Sequence, residues 1–382
     1  MKTKKYHKKT ILQVVPALIC GGVEKGTLEI AKKLVAAGFR SIVISAGGPL
    51  VKSLEDSGSK HITLNVASKN PLISIWLNSK RIKKIIQEEE VDIIHARSRA
   101  PAWSCFIAAK ATNIKLITTF HGVYNFHTRI KKFYNSIMTK GNNVIAVSQF
   151  VKNHILKNYN IDEKRIVMIH RGVDPAEFDS ETLSSQHLLK YKAKYNVPAN
   201  VPIILLPSRM TEWKGHLLLV EALEKIKHLN FYCIMAGDLA KHPLYVTRIK
   251  NLINKYKIQS RVQIFGNEPG IINLYGISDI VLSTSIEPEA FGRTIVEAQS
   301  MKKLVIATNI GGATETIEDK KTGFHINPID SLQLANTIKY CLSILGTDKA
   351  REVQAAARKS AIENFSLDSM LKKEMLIYEL ME

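Results

Sequence analysis

The residues most able to do chemistry fall in two short segments of the second half of the chain. Arg209 and Lys214, within Pro207-Ser208-Arg209-Met210-Thr211-Glu212-Trp213-Lys214-Gly215, follow an apolar run and precede a helical pattern. Two cations at the mouth of a strand, ahead of a helix N-terminus, suit the charge of a diphosphate leaving group. Taken alone, the pair fits two exposed side chains equally well. Glu289 and Glu297 lie within Glu287-Pro288-Glu289-Ala290-Phe291-Gly292-Arg293-Thr294-Ile295-Val296-Glu297. Gly292 permits close backbone approach to a ligand, and free N–H groups at the start of the helix favour an anion. One carboxylate suits sugar hydroxyls and the other a ribose diol, although glutamates at this spacing also serve as ordinary helix-start charges. A lone histidine after a strand, as His121 is, is by itself more often structural.

The elements that position these residues are read from hydrophobic patterning. Apolar runs at 11–15, 41–45, 61–64, 92–95, 115–120, 144–147 and 166–169 alternate with amphipathic helical stretches such as 26–37 and 73–90. The runs are apolar throughout, as in strands of a parallel sheet covered on both faces. A polar stretch at 172–186 reads as a linker. Alternation then restarts, with strands at 203–207, 231–236, 262–265, 280–283 and 304–307 and helices near 215–227, 244–257, 271–277 and 294–301, before a helix-rich tail from residue 331. The expected fold class is α/β, with two facing, doubly wound Rossmann-like domains. Their expected bounds are 1–185 and 186–365, followed by a final helix over 366–382. In such sheets ligands bind beyond the carboxyl ends of the strands, where the candidate residues fall.

The chain has 382 residues, 45% of them hydrophobic, which is enough for two cores. Its net charge of +20 is uneven: 1–190 hold 30 Lys/Arg and 14 Asp/Glu, and 191–382 hold 24 and 20. No acidic residue falls between Asp92 and Asp162. A surface of this kind attracts polyanions, such as nucleic acid, anionic lipid headgroups or a phosphorylated glycolipid. The segment 124–134, with aromatics around Arg129, Lys131 and Lys132, is the candidate contact; an ordinary solvated helix is the alternative. Cys20, Cys105, Cys233 and Cys341 show no CxxC pairing, which argues against zinc, iron–sulfur and a disulfide framework and for a reducing compartment. The basic start and the short apolar run after it imitate a signal peptide, but Gln13 and Pro16 interrupt the run and a helical pattern follows, as after a buried first strand.

Taken together, the sequence resembles the retaining GT-B glycosyltransferases of family 4. The resemblance rests on the Glu-x7-Glu motif formed by Glu289, Phe291, Gly292 and Glu297 and on Arg209-x4-Lys214-Gly215. It extends to Gly21-Gly22-Val23-Glu24, His121-Gly122, Gly172-Val173-Asp174 and Gly311-Gly312 with Glu315, in the family's order. It implies that Arg209 and Lys214 bind the donor diphosphate, that Glu297 holds the ribose, and that Glu289 and His121 contact the transferred sugar as catalytic residues. The backbone of Phe291, Gly292 and Arg293 would meet sugar and phosphates, Gly21 and Gly22 would close over the donor, and the last helix would return to the first domain. The implied reaction is transfer of a sugar, with retention, from a nucleoside diphosphate sugar, UDP- or GDP-linked, to a hydroxyl of a lipid-linked or lipopolysaccharide-type acceptor. No cofactor or metal is expected; the chain has no Asp-x-Asp motif. The expected location is cytoplasmic, peripheral on the inner face of the membrane. Ser208 stands where the family usually has Gly, His170-Arg171 where Pro-Asn is common, and Arg293 where an apolar residue is frequent. A nucleotide-sugar epimerase on the same fold and a basic nucleic-acid-binding protein are the competing readings; no nucleic-acid-binding signature supports the latter, so no nucleic acid partner is expected.

Overall fold

The computed structural model describes residues 8–19, 21–67, 71–266, 268 and 270–381, the side chains of 71–73 excepted; the basic start at 1–7 and Cys20 lie outside the described residues. The chain divides into two compact units, Met1–His170 with Ser369–Glu382, and Arg171–Asp368.

The first unit is built on strands β1 (Thr10–Val14), β2 (Arg40–Ser45), β3 (Lys60–Thr63), β4 (Ile93–Ala96), β5 (Lys115–Phe120), β6 (Asn143–Ala146) and β7 (Ile166–Met168). All pair in parallel in the order β3-β2-β1-β4-β5-β6-β7. The order reverses between β1 and β4, which leaves a crevice at their carboxyl ends. The helix Gly22–Ala36 buries Leu28, Ile30, Ala31 and Leu34 and turns Glu24, Lys25 and Lys33 outward or partly so.

The second unit carries β8 (Ile203–Pro207), β9 (Tyr232–Ala236), β10 (Val262–Phe265), β11 (Ile280–Ser283), β12 (Leu304–Thr308) and β13 (Phe324–Ile326). These are also parallel, in the order β10-β9-β8-β11-β12-β13. Successive residues of β8 feed opposite cores. Ile204 and Leu206 pack with Leu219 and Leu223 of helix His216–Lys225, while Ile203 and Leu205 pack with Leu274 of helix Ile271–Ile277 and Val296 of helix Arg293–Ser300. Burial on both faces is what the continuous apolar runs require. The reversal here falls between β8 and β11, the two strands whose exits carry the candidate cations and carboxylates.

The polar stretch at 172–186 is no free linker. It belongs to the second unit: Val173 pairs with Ser366, Phe178 is buried in the core, and Asp179 accepts a hydrogen bond from Arg358 at 2.7 Å. Two buried apolar side chains and an ion pair outweigh its polar composition. Helix Ser185–Lys194 follows directly.

One face of the first sheet is polar. Gln13 on β1 lies opposite His95 on β4, and Gln13, His95, Arg97 and Thr119 are all buried. Helix Leu367–Leu380 covers them and supplies partners one turn apart. Arg97 donates to Glu374 at 2.5 Å and to Gln13 at 3.0 Å, and Tyr378 donates to Glu374 at 2.9 Å. His95 joins Tyr378 through Nδ1 and Thr119 through Nε2, each at 2.7 Å. Burial opposes the Arg97 charge, yet the Glu374 carboxylate prevails and raises its pKa. Lys9 Nζ donates to the carbonyls of Tyr378, Glu379 and Met381 at 3.2, 3.0 and 2.6 Å, closing the helix C-terminus with a cation.

Breaking a buried pair from one side strands a charge, so Glu374→Gln is expected to cost about 3–5 kcal/mol in urea unfolding of the full chain. Arg97→Met with Glu374→Gln is expected to cost less than the two single losses combined, since the residues are in contact. Additive losses would show that they do not act as a pair.

Candidate active site

The loop after β8 is shaped by close packing. Gly215 has φ of 73°, and a Cβ there would fall 2.0 Å from the Thr284 carbonyl oxygen. Only glycine fits both constraints. The Thr284 hydroxyl donates to the Lys214 carbonyl at 3.0 Å, and the Ile286 N–H donates to the Trp213 carbonyl at 2.7 Å. The exit of β11 therefore grips the cationic loop directly.

Lys214 Nζ donates to Glu289 Oε1 at 2.6 Å, with both side chains largely buried. Hydroxyls of Ser283, at 3.3 Å, and Ser285 donate to the same oxygen. Burial pushes the Glu289 pKa up, but the Lys214 charge and these hydrogen bonds outweigh it and hold the carboxyl below the ordinary glutamate range. Trp213 carries both cations on its ring: Lys214 Nζ is 4.3 Å and the Arg209 guanidinium carbon 5.3 Å from the indole centroid. Arg209 itself is exposed.

Glu289 is fixed from behind by the glycine loop after β12. The Gly312 N–H donates to the Glu289 carbonyl at 2.7 Å. A Cβ on Gly311 would come within 2.5 Å of that same oxygen, and one on Gly312 within 2.2 Å of the Ala290 carbonyl. Gly311-Gly312 thus allows two loops to lie against each other. Gly292, with φ of 98°, opens helix Arg293–Ser300. Phe291 turns its ring into the core, 5.5 Å from Phe365, which leaves its main chain as the part able to meet a ligand.

Glu297 accepts a hydrogen bond from Tyr275 at 2.9 Å and pairs with Arg293 at 3.4 Å. Burial, then the Glu297 charge, raises the Tyr275 pKa well above the ordinary value, so its hydroxyl stays a donor. The structure therefore brings Lys214 and Glu289 together and Arg293 and Glu297 together, with Arg209 on the shared Trp213. Trp213, Ser283, Ser285 and Tyr275 were not among the candidates read from the sequence. The serines were detectable, since the polar run Ser283-Thr284-Ser285 interrupts the apolar exit of β11, but Tyr275 reads as one more apolar residue of a short helix.

In the first unit, Gly21 and Gly22 begin the helix after β1, and His121 follows β5 directly, half buried. Tyr124, whose pKa burial pushes up to about 12, packs 5.0 Å from Phe120 and 4.2 Å from the Arg99 guanidinium. Helix Arg129–Ser136 is capped by Thr128, whose hydroxyl accepts from the Lys131 N–H at 3.1 Å. Arg129, Lys131 and Lys132 are exposed, and so are Ile130 at 82% and Phe133 at 67%. Apolar side chains that open to water among cations are unusual on a short helix. Trp76, exposed at 57%, carries Lys80 at 3.5 Å.

Residues 20–177 match the family described as Glycosyltransferase Family 4, and residues 189–360 match Glycosyl transferases group 1. A crystal structure of a glycosyltransferase from Rickettsia africae ESF-5 shares 59% identity over 98% of this chain and 98% of its own, with a TM-score of 0.91. HepE from Anabaena, solved in complex with UDP and glucose, has a TM-score of 0.86 at 24% identity, covering 97% of this chain and 100% of its own. N-acetyl-alpha-D-glucosaminyl L-malate synthase of Bacillus anthracis is 25% identical over 365 residues, 92% of this chain and 91% of its own.

A depressed carboxyl pKa contributes stability that is present above the ordinary glutamate range and lost as pH falls through the depressed value. Lys214→Met is expected to raise the Glu289 pKa toward or above the ordinary glutamate value, so that the acid loss shrinks or reverses sign, while Glu289→Gln removes the titrating group. Thermal midpoints measured across an acid series for the three proteins read this directly. A Glu289→Gln curve that tracks wild type through the window would assign the titration elsewhere.

Proposed function

The chain belongs to the group 1 glycosyltransferases and is a glycosyltransferase of GT-B fold, and on that premise we propose how it works and on what. The donor is a nucleoside diphosphate sugar, UDP- or GDP-linked, and the sugar is transferred with retention to a hydroxyl of an anionic lipid-linked or lipopolysaccharide-type acceptor. The observation that carries the reading is the Lys214–Glu289 pair beside Arg209, at the strand-order reversal of the second unit. It sets a cationic patch and a buried carboxylate a few ångströms apart, as the two ends of a sugar–phosphate bond require.

In the reaction the bond from the anomeric carbon to the phosphate oxygen breaks, and a bond to the acceptor oxygen forms. The acceptor proton passes to the leaving phosphate. Negative charge grows on the diphosphate, where Arg209, Lys214 and the N–H groups at the start of helix Arg293–Ser300 act on it. Positive character grows on the sugar, which Glu289, kept ionised, stabilises. Lys214 serves both partners, so a bound diphosphate competes with Glu289 for its ammonium and loosens the carboxylate toward the sugar. Glu297, oriented by Tyr275, accepts from the ribose diol. Because protein cations meet the diphosphate, the reaction proceeds without a divalent metal.

The acceptor reading rests on the first unit, where Arg129, Lys131 and Lys132 surround exposed Ile130 and Phe133. Cations with interleaved apolar side chains suit the anionic headgroup region of a bilayer, with peripheral attachment at its cytoplasmic face. Among the described residues no helix is long and apolar enough to cross a membrane.

Thermal-shift titration with UDP, GDP and their sugars in EDTA is expected to show stabilisation by one nucleotide family, abolished by Arg209→Ala and Glu297→Ala. No shift with any of them would remove the donor assignment. The anomeric coupling constant of the product tests retention. Co-sedimentation is expected with phosphatidylglycerol vesicles and not with phosphatidylcholine alone, and Ile130→Ser/Phe133→Ser is expected to weaken it; equal binding to both vesicle types would refute the charge-led attachment.

A further inference from the structure

His216 has no part in the chemistry described so far. It is the first residue of helix His216–Lys225, directly after Lys214-Gly215, and its side chain is completely buried. Its Nε2 lies 3.1 Å from the Ser208 hydroxyl. The residue before Arg209 is thereby tied, side chain to side chain, to the second residue after Lys214. The imidazole packs edge-on against Tyr245 at 5.7 Å, which leaves it little freedom to turn away.

The two halves of the cationic loop are anchored differently. Trp213 and Lys214 are gripped through their carbonyls by Ile286 and Thr284 on the far side of the sheet reversal. The Arg209 carbonyl accepts only within the loop, from the Thr211 N–H at 2.8 Å, among the described residues. Beside it, the Ser208 N–H donates to the Ala236 carbonyl at 2.9 Å, and Gly237 lets the Ser208 carbonyl pass where a Cβ would come within 2.1 Å. The Thr211 hydroxyl, buried inside the loop, makes no hydrogen bond among the described residues. The Ser208–His216 bond is thus a side-chain fastening of the Arg209 half from one side, as the fully buried Met210 is from the other. It also explains a departure in the sequence, since a glycine at 208 has no hydroxyl to offer.

We propose that Ser208 and His216 are positioning residues that set Arg209 toward the donor diphosphate. Neither touches the substrate; both act through the backbone that carries the guanidinium. Burial, then the nearby Lys214 charge, lowers the His216 pKa to about 4, so the ring stays neutral at physiological pH and adds no charge to the site.

This inference rests on the donor site proposed above. It is tested by titration calorimetry of UDP and GDP into the full chain as wild type, Ser208→Ala, Ser208→Thr, His216→Phe, the Ser208→Ala/His216→Phe pair, Arg209→Ala and Ser208→Ala/Arg209→Ala. One half-buried hydrogen bond corresponds to about a 2- to 10-fold loss of nucleotide affinity in Ser208→Ala and in His216→Phe. The paired variant is expected to bind no more weakly than the weaker single, Ser208→Thr to restore wild-type affinity, and Ser208→Ala to change nothing once Arg209 is gone. Should His216→Phe not fold, the Ser208 and Arg209 series carries the test by itself. Wild-type affinity in Ser208→Ala, with or without a lower thermal midpoint, would overturn the inference while leaving the Arg209-dependent donor site intact. Failure of wild type to bind either nucleotide would overturn the donor site and, with it, this inference.

Discussion

A carboxylate withdrawn from water must have its charge met nearby, and Glu289 has it met by Lys214 at 2.6 Å. Much of the second unit follows from that need. The loop after β8 has to lie against the exit of β11, which only a glycine at 215 allows, and the loop after β12 has to press on Glu289 from behind, which takes two more. Two serine hydroxyls complete the shell around the same oxygen. Removing any one of these contacts leaves an ion with less than it needs, so site and scaffold cannot be varied separately here.

The same economy appears at Glu297. Its acceptor oxygens are engaged by Tyr275 and Arg293, which holds the side chain in one orientation before any ligand arrives. Arg293 occupies a position at which the resembling family often has an apolar side chain, and the ion pair it makes is a reason for a charge to be tolerated at 19% exposure. Restraint of this kind shortens the list of geometries a ligand has to select.

Much of this was legible in the residues. Strands at 115–120, 203–207, 262–265 and 280–283 coincide with the apolar runs that announced them, because a strand buried on both faces has a simple pattern. The pairing of Lys214 with Glu289 needed the topology, since 75 residues separate them. Segment 172–186 misled because its burial hangs on Val173 and Phe178, two apolar residues in a polar run. Strand β13 is three residues long, too short for a period to show. The polar stripe of Gln13, His95, Arg97 and Thr119 was in plain view, yet a polar residue in a strand says nothing about which distant helix will answer it. The departure at Ser208 has a meaning only through His216, eight residues on, against which its hydroxyl lies.

The closure of that stripe has a consequence for how the protein is made. Arg97 is translated early and its counter-ion, Glu374, only after the whole of 171–368 has left the peptidyl transferase centre. The usual order, in which the domain synthesised first is completed first, is therefore inverted: the first domain waits, with a cation and a histidine uncovered on its sheet, for a helix synthesised after the second. A ribosome that stops before residue 374 releases a first domain whose strands are all present and whose Arg97 has yet to meet its carboxylate.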